Sequence, residues 1–138
     1  MPKWITASLL VEEIEQSLHE LLATTPAAGL SAPSVHILNE LYKDDGQHAS
    51  ELAQKIGRAA TSFTPLLDKL QEAGLLLRRP DTQDRRAVRI YLTANGEALR
   101  KPITHALTEV EIWFEEIDWT PHVGSIDEPT NEAAEIPA

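Results

Sequence analysis

The side chains with the clearest chemical potential are the cations of one short segment. Residues 48–93 carry eight Lys or Arg against five Asp or Glu, a net charge of +3, whereas residues 1–47 carry −5 and residues 94–138 carry −8. Guanidinium and ammonium groups pair with phosphate oxygens, and an overall charge of −10 would otherwise repel a polyanion. A cationic segment between acidic ends therefore predicts a surface that contacts nucleic acid.

We predict two groups of DNA-contacting side chains within this segment. The first lies on a helix and consists of Arg58, Thr61, Ser62, Thr64, Pro65 and Lys69; the second lies on a hairpin and consists of Arg79, Arg85 and Arg86. Hydroxyls and backbone N–H groups at the start of a helix can bond phosphates or base edges. The alternative for Thr61 is ordinary helix capping. For the arginines, with Arg78 as a further candidate, the alternative is a solvated surface.

Three residues of the same helix limit what the helix group can read. Pro65 lacks a backbone N–H, so it either shortens the helix or offers an apolar contact to a thymine methyl group. Asp68 and Glu72 point outward, where phosphate would repel their carboxylates. We expect them to pair with Lys69 or an arginine of the hairpin and to mark the edge of the contact surface.

An amphipathic helix and a hairpin must position these side chains. Residues 60–73 place five apolar residues on one face at helical spacing, namely Phe63, Leu66, Leu67, Leu70 and Ala73. Gly74 ends the helix, because glycine adopts the left-handed turn at low cost. Residues 75–79 and 88–92 are predicted strands, and the intervening segment from Pro80 to Arg86 has the Pro and Asp of a turn.

The elements before the hairpin complete a helix-turn-helix. Residues 4–23 are predicted to be a helix with Val11, Ile14, Leu18 and Leu21 on its apolar stripe. Ser31 caps a second helix, residues 47–49 form a short edge strand, and Ser50 caps a third helix that ends at Ile56. Helix, turn, helix and hairpin in this order predict a winged helix-turn-helix fold, mainly α with a small β-hairpin.

The two ends of the chain are predicted to serve assembly. Thr93 caps a last helix that is broken near Pro102, and its apolar stripe runs from Ile103 through Trp113 to Ile117. Trp4 and Trp113 are expected to pack in the core. We divide the chain into a dimerisation helix and loop (residues 1–29), the winged domain (30–93), a second dimerisation helix (94–118) and a disordered acidic tail (119–138).

The run Asp84-Arg85-Arg86-Ala87-Val88-Arg89-Ile90-Tyr91-Leu92-Thr93 resembles the D-x-R-x-x-x-x-x-L-T wing signature of MarR-type winged-helix transcription regulators. The preceding LLDKLQEAGLLLRRPD resembles the end of that family's recognition helix and its first wing strand. The likeness covers roughly residues 30–99. Two departures stand out: Pro65 occupies a position that is often basic in the family, and no further helix is predicted after the last one to complete the dimer.

The resemblance implies a sequence-specific regulator that binds a pseudo-palindromic operator of double-stranded DNA as a homodimer. It implies that Arg86 enters the minor groove and that Asp84 supports the loop that presents it. It also implies a small-molecule effector that binds between the dimer helices and the winged domain and lowers operator affinity.

Composition excludes several other classes of protein. The chain has no Cys, so it has neither disulfides nor thiolate metal sites, and its five His show no recognised ligand spacing. No Gly-rich phosphate loop or nucleophile motif indicates an enzyme, so we expect neither catalytic residues nor cofactors. With no signal peptide and no membrane-length apolar run, a cytoplasmic protein is expected.

One competing function stays open at this point. A winged-helix module can bind protein instead of DNA, with the acidic ends and the stripe around Trp113 and Phe114 as its interface. Salt separates the two functions, because phosphate binding weakens steeply as salt rises whereas an apolar interface hardly responds.

Overall fold

The computed structural model describes residues 2–116, which form six helices and one three-stranded antiparallel sheet. The helices are α1 (Lys3–Leu22), α2 (Ala32–Lys43), α3 (Ala49–Ile56), α4 (Ala60–Glu72), α5 (Ala94–Ala98) and α6 (Arg100–Glu116); the strands are β1 (Gln47–His48), β2 (Leu76–Pro80) and β3 (Val88–Leu92). The prediction of a mainly α fold with a small hairpin is confirmed. The predicted tail at residues 119–138, and Ile117, lie outside the described residues.

The core sits where α2 meets the helix-turn-helix, the sheet and α6. Its fully buried side chains come from every layer: Leu22, Val35, Ile37, Leu38, Leu41, Leu52, Leu70, Leu76, Ile90 and Ile103. The helix α2 begins where predicted, since the Ser31 hydroxyl accepts the Ser34 N–H at 3.3 Å and Pro33 lies in the first turn. The core therefore fixes the positions of α3, α4 and the hairpin relative to one another.

The sheet joins the hairpin to the start of the helix-turn-helix. Its strand order is β1-β3-β2, with Gln47 opposite Ile90 and His48 opposite Arg89 on one side of β3. On the other side, Arg79 faces Arg89 and Pro80 faces Val88. The short edge strand predicted at residues 47–49 is confirmed as Gln47–His48.

The predicted start of α3 is wrong, and the alternative role of Thr61 as a helix cap does not occur. The helix α3 begins at Ala49, so Ser50 lies inside it and is not its cap; pairing with β3 holds His48 extended (φ −62°, ψ 139°), and the helix follows directly. The helix α4 begins at Ala60 after an extended Ala59, so Thr61 is an interior residue and not a cap. Pro65 then lies mid-helix without ending it, so the shortened helix predicted as one alternative does not occur.

The predicted apolar stripe of α1 is confirmed except at Val11, since Leu18 is buried and Ile14 and Leu21 are half-buried. The helix buries Leu10, Leu18 and Leu22, whereas Val11 is 53% exposed. Trp4 is 71% exposed, so its predicted place in the core is wrong for the single chain. The reason is that α1 packs mainly on α6, which covers only one side of it.

The break in the last helix falls where Pro102 requires one. Thr93 caps α5 by accepting the Gly96 N–H at 3.1 Å, and after Leu99 the chain starts again as α6. Pro102 thus lies in the first turn of α6, where its missing N–H is tolerated.

Candidate nucleic-acid interface

The outer face of α4 carries the predicted helix group. Gly57 takes the left-handed conformation (φ 74°) and turns the chain from α3 towards α4. The helix buries Phe63, Leu67 and Leu70, which anchors its inner face. Every predicted contact on this helix is exposed, namely Thr61, Ser62, Thr64, Pro65 and Lys69. Arg58, which lies just before the helix, is also exposed. The structure therefore brings the helix group together on one accessible surface.

One hydroxyl of this group is already engaged. The Ser62 hydroxyl donates to the Ala59 carbonyl oxygen at 3.1 Å, which secures the first turn of α4. A hydroxyl oxygen that donates in this way keeps its lone pairs as acceptors.

The loop between β2 and β3, residues 81–87, presents the second group. Arg85 and Arg86 are exposed, and the Arg86 side chain is 93% accessible to solvent. The Asp84 carboxylate accepts the Arg86 backbone N–H at 3.1 Å, and its Oδ1 lies 3.6 Å from the Arg86 Nε. Asp84 thus lies where it can hold the loop that displays these arginines.

The residue that organises the loop is Asp81, which the sequence indicated only as a turn residue. Its Oδ1 accepts the N–H groups of Gln83 (2.8 Å) and Asp84 (3.4 Å), and its Oδ2 accepts the Arg89 Nε–H at 2.9 Å. These bonds stabilise the charged carboxylate and hold the pKa of Asp81 well below its usual value, with the Gln83 bond the largest cause. The signal available in the sequence was an Asp directly after Pro80 at the start of a turn.

The same Asp81 oxygen also meets a side chain from outside the hairpin. The His48 Nε2 lies 2.6 Å from Asp81 Oδ2, and the Asp81 side chain is only 8% exposed. Arg89 adds a bond from its Nη1 to the Gly46 carbonyl at 2.8 Å. The loop is therefore fastened both to β3 and to the strand that precedes α3.

An ion pair ties the hairpin to α4. The Arg78 Nη2 lies 2.6 Å from Asp68 Oδ1, and its Nε donates to Gln71 Oε1 at 2.9 Å. This confirms the expected pairing of Asp68 with a hairpin arginine. It also means that Arg78 already has intramolecular partners, whereas Arg79 points outward at the exposed end of β2.

The described residues show no sign of two other kinds of site. Within residues 2–116, no group of three His, Asp or Glu is placed to hold a metal ion. In the same part of the chain, no helix has the length and apolar character to cross a bilayer.

The sequence is similar to those of known transcriptional regulators. The sequence profile of the MarR family matches residues 30–88. An uncharacterised HTH-type transcriptional regulator, YsmB of Bacillus subtilis, is 32% identical over 97 residues, which cover 64% of this chain and 66% of YsmB. The matched regions span 44 to 66% of the first three curated relatives.

Solved structures share the fold. The MepR–DNA complex of S. aureus superposes with a TM-score of 0.76 at 21% identity and covers 99% of both chains. The PcaV regulator of Streptomyces coelicolor in complex with its natural ligand has a TM-score of 0.65 at 18% identity, covering 91% of this chain and 90% of PcaV. At these identities the likeness shows a common winged-helix architecture.

Proposed function

We propose that this chain, which belongs to the MarR family of winged helix-turn-helix regulators, binds a pseudo-palindromic DNA operator as a dimer and responds to a small ligand. The observation that carries the proposal is that both predicted contact groups are exposed on elements that the same core holds in place. The outer face of α4 and the tip of the 81–87 loop are accessible, and residues 76–92 carry five Arg against two Asp, whereas α1 and α6 carry four Glu each.

The dimensions of the two elements suit a double helix. A major groove about 12 Å wide admits one α-helix, here α4, and a hairpin beside it can reach the minor groove. A guanidinium is favoured in a narrow, strongly negative minor groove, which suits the 93% exposed Arg86. We assign Thr61, Ser62, Thr64 and Pro65 to the major groove and Arg58, Lys69, Arg79 and Arg85 to phosphates. The family-level support is that MepR, which has this fold, was solved with DNA.

Dimerisation is supported by apolar side chains that the single chain leaves uncovered. Trp4, Leu9 and Val11 on α1 are 71%, 46% and 53% exposed, and Ile112 on α6 is 44% exposed. A second copy packed on α1 and α6 would bury them. Two α4 helices related by a twofold axis would then address half-sites about one helical turn apart.

Ligand response is supported by a cavity between the assembly helices and the winged domain. The cavity of about 150 Å³ is lined by Ile14, Leu18, Ala32, His36, Asn39, Leu107 and Val110 of α1, α2 and α6. An apolar lining with a few polar groups is typical of small-molecule sites, which usually measure about 300–1,000 Å³, so a ligand would have to enlarge this cavity as it binds. A ligand that separates α6 from α2 here would move the two winged domains apart and lower operator affinity.

The decisive experiment is selection of bound duplexes from a random DNA pool, followed by titration of the enriched duplex and a scrambled control at several salt concentrations. We expect enrichment of an inverted repeat and a steep decrease of affinity as salt rises. No enrichment, and equal affinity for both duplexes at moderate salt, would refute specific DNA binding. Binding of a protein partner with little salt dependence would instead favour a protein-interaction module.

A further inference from the structure

The 81–87 loop depends on a side chain that belongs to the helix-turn-helix. His48 ends β1 and immediately precedes α3, and its Nε2 lies 2.6 Å from Asp81 Oδ2. The strand that carries it pairs with β3 through only two residues. The side-chain bond therefore adds a direct link from the start of α3 to the loop that displays the arginines.

Three charged groups from three elements face the imidazole. They are Asp81 in the loop, Glu51 on α3, whose Oε1 lies 3.4 Å from His48 Nδ1, and Arg89 on β3. A protonated imidazole donates from both nitrogens and can serve both carboxylates, whereas a neutral imidazole donates from only one. Because the His48 side chain is 31% exposed, solvent can deliver and remove the proton.

The balance of these groups favours the charged imidazole. The hydrogen bond to Asp81, followed by the one to Glu51, raises the pKa of His48 above 6.5, against the opposing effects of desolvation and Arg89. A folded-state pKa that lies above the unfolded value contributes stability that is complete below the unfolded pKa. That stability is lost as pH rises through the folded pKa, which places the change on the alkaline side of 6.5.

We propose that His48 is a positioning residue for the loop: its imidazolium fastens the Asp81 turn to the start of α3 and so fixes Arg85 and Arg86 for DNA. The loop should tighten as pH falls from about 8 to about 6. Only the DNA part of this statement rests on the proposed function, since the fastening itself is a property of the free protein.

The test compares wild-type protein with His48→Gln, which can still donate one hydrogen bond to Asp81 but cannot gain a charge. The control is His105→Gln, because His105 is another exposed histidine but lies on α6, away from the loop. The readout is the hydrogen-exchange protection of the Gln83 and Asp84 amides, whose N–H groups bond Asp81. Protection corrected for the intrinsic pH effect should rise roughly threefold from pH 8 to pH 6 in wild type and in His105→Gln.

The expected result for His48→Gln is protection that no longer changes over this pH range. An unchanged pH response in His48→Gln, or no response in wild type, would overturn the proposal. The affinity for the enriched duplex, measured in parallel at constant salt, should show the same loss of pH dependence in His48→Gln relative to His105→Gln. If no variant binds DNA at any pH, the proposed function is wrong, and the amide protection still decides the role of His48.

Discussion

At the scale of single residues, the loop separates the side chains that shape it from those that face solvent. Asp81 is 8% exposed and accepts bonds from the loop backbone and from Arg89, whereas Arg86 is 93% exposed. Rigid backing for an exposed cation lowers the conformational entropy lost when it binds. The bonds that hold the loop backbone therefore come from Asp81 and Asp84 and not from the guanidinium groups of Arg85 and Arg86.

We expect Arg86→Ala to weaken binding to the enriched duplex by about 1–3 kcal/mol if the guanidinium occupies a groove. The bond from the residue 86 N–H to Asp84 involves the backbone, so it survives this substitution. Titration at fixed salt measures the effect. The matched control is Lys101→Ala, which removes an exposed cation from α6; equal losses in both variants would show that net charge alone is responsible.

At the scale of elements, the short helix α5 connects the winged domain to α6. The Tyr42 hydroxyl on α2 donates to the Gly96 carbonyl at 2.7 Å. The Arg100 guanidinium lies over the Tyr42 ring, with its Cζ 4.8 Å from the ring centroid, and its Nη1 donates to the Tyr42 carbonyl at 3.0 Å. Burial, with a smaller effect of Glu97, raises the pKa of Tyr42 to about 12, so the phenol stays a neutral donor. These contacts fasten the start of α6 to the end of α2.

Within α5, Gly96 has no space for a side chain. A Cβ at this position would lie 2.0 Å from the Leu75 carbonyl oxygen, so we expect Gly96→Ala to lower the free energy of unfolding by about 1–3 kcal/mol. Urea denaturation measures the change. The comparison is Gly29→Ala, because a Cβ at this position has no atom within 4 Å. The only cost of this substitution is the strain of a φ of 86°. A smaller loss for Gly96→Ala than for Gly29→Ala would show that the α5 backbone moves to make room.

At the scale of the whole molecule, the positively charged surface and the exposed apolar surface lie on different parts of the protein. Five of the twelve Lys and Arg lie on the hairpin, with Arg58 before α4 and Lys69 on it, whereas α1 and α6 carry exposed Glu together with exposed Trp4, Leu9, Val11 and Ile112. A twofold assembly through α1 and α6 would bury the apolar residues and leave both cationic surfaces outward. Assembly and DNA binding would then use separate faces.

A charge placed in the apolar patch tests this arrangement. We expect Val11→Glu to shift the protein from dimer to monomer, because burying an unpaired carboxylate in the interface is unfavourable. Light scattering after size exclusion at micromolar concentration measures the mass. Ala94→Glu adds the same charge at an exposed position at the start of α5 and should leave the mass unchanged. A wild-type monomer would remove the basis for a palindromic operator.

The local pattern of the sequence determined the elements and which side of α4 faces outward. The spacing of Phe63, Leu67 and Leu70 and the turn at Gly74 depend on interactions within a few residues, and the structure agrees with them. The strands of the hairpin and the Ser31 and Thr93 caps follow for the same reason. The exposed cations of the loop could likewise be identified from charge and turn residues alone.

Only the tertiary structure decided how these elements support one another. His48 and Asp81 are 33 residues apart in the chain, and their contact exists because β1 pairs with β3 beside the loop. Arg78 meets Asp68 through the packing of β2 on α4, and α1 leaves Trp4 exposed because α6 covers only one side of it. Local periodicity cannot specify such contacts, since they depend on how distant segments are placed in space.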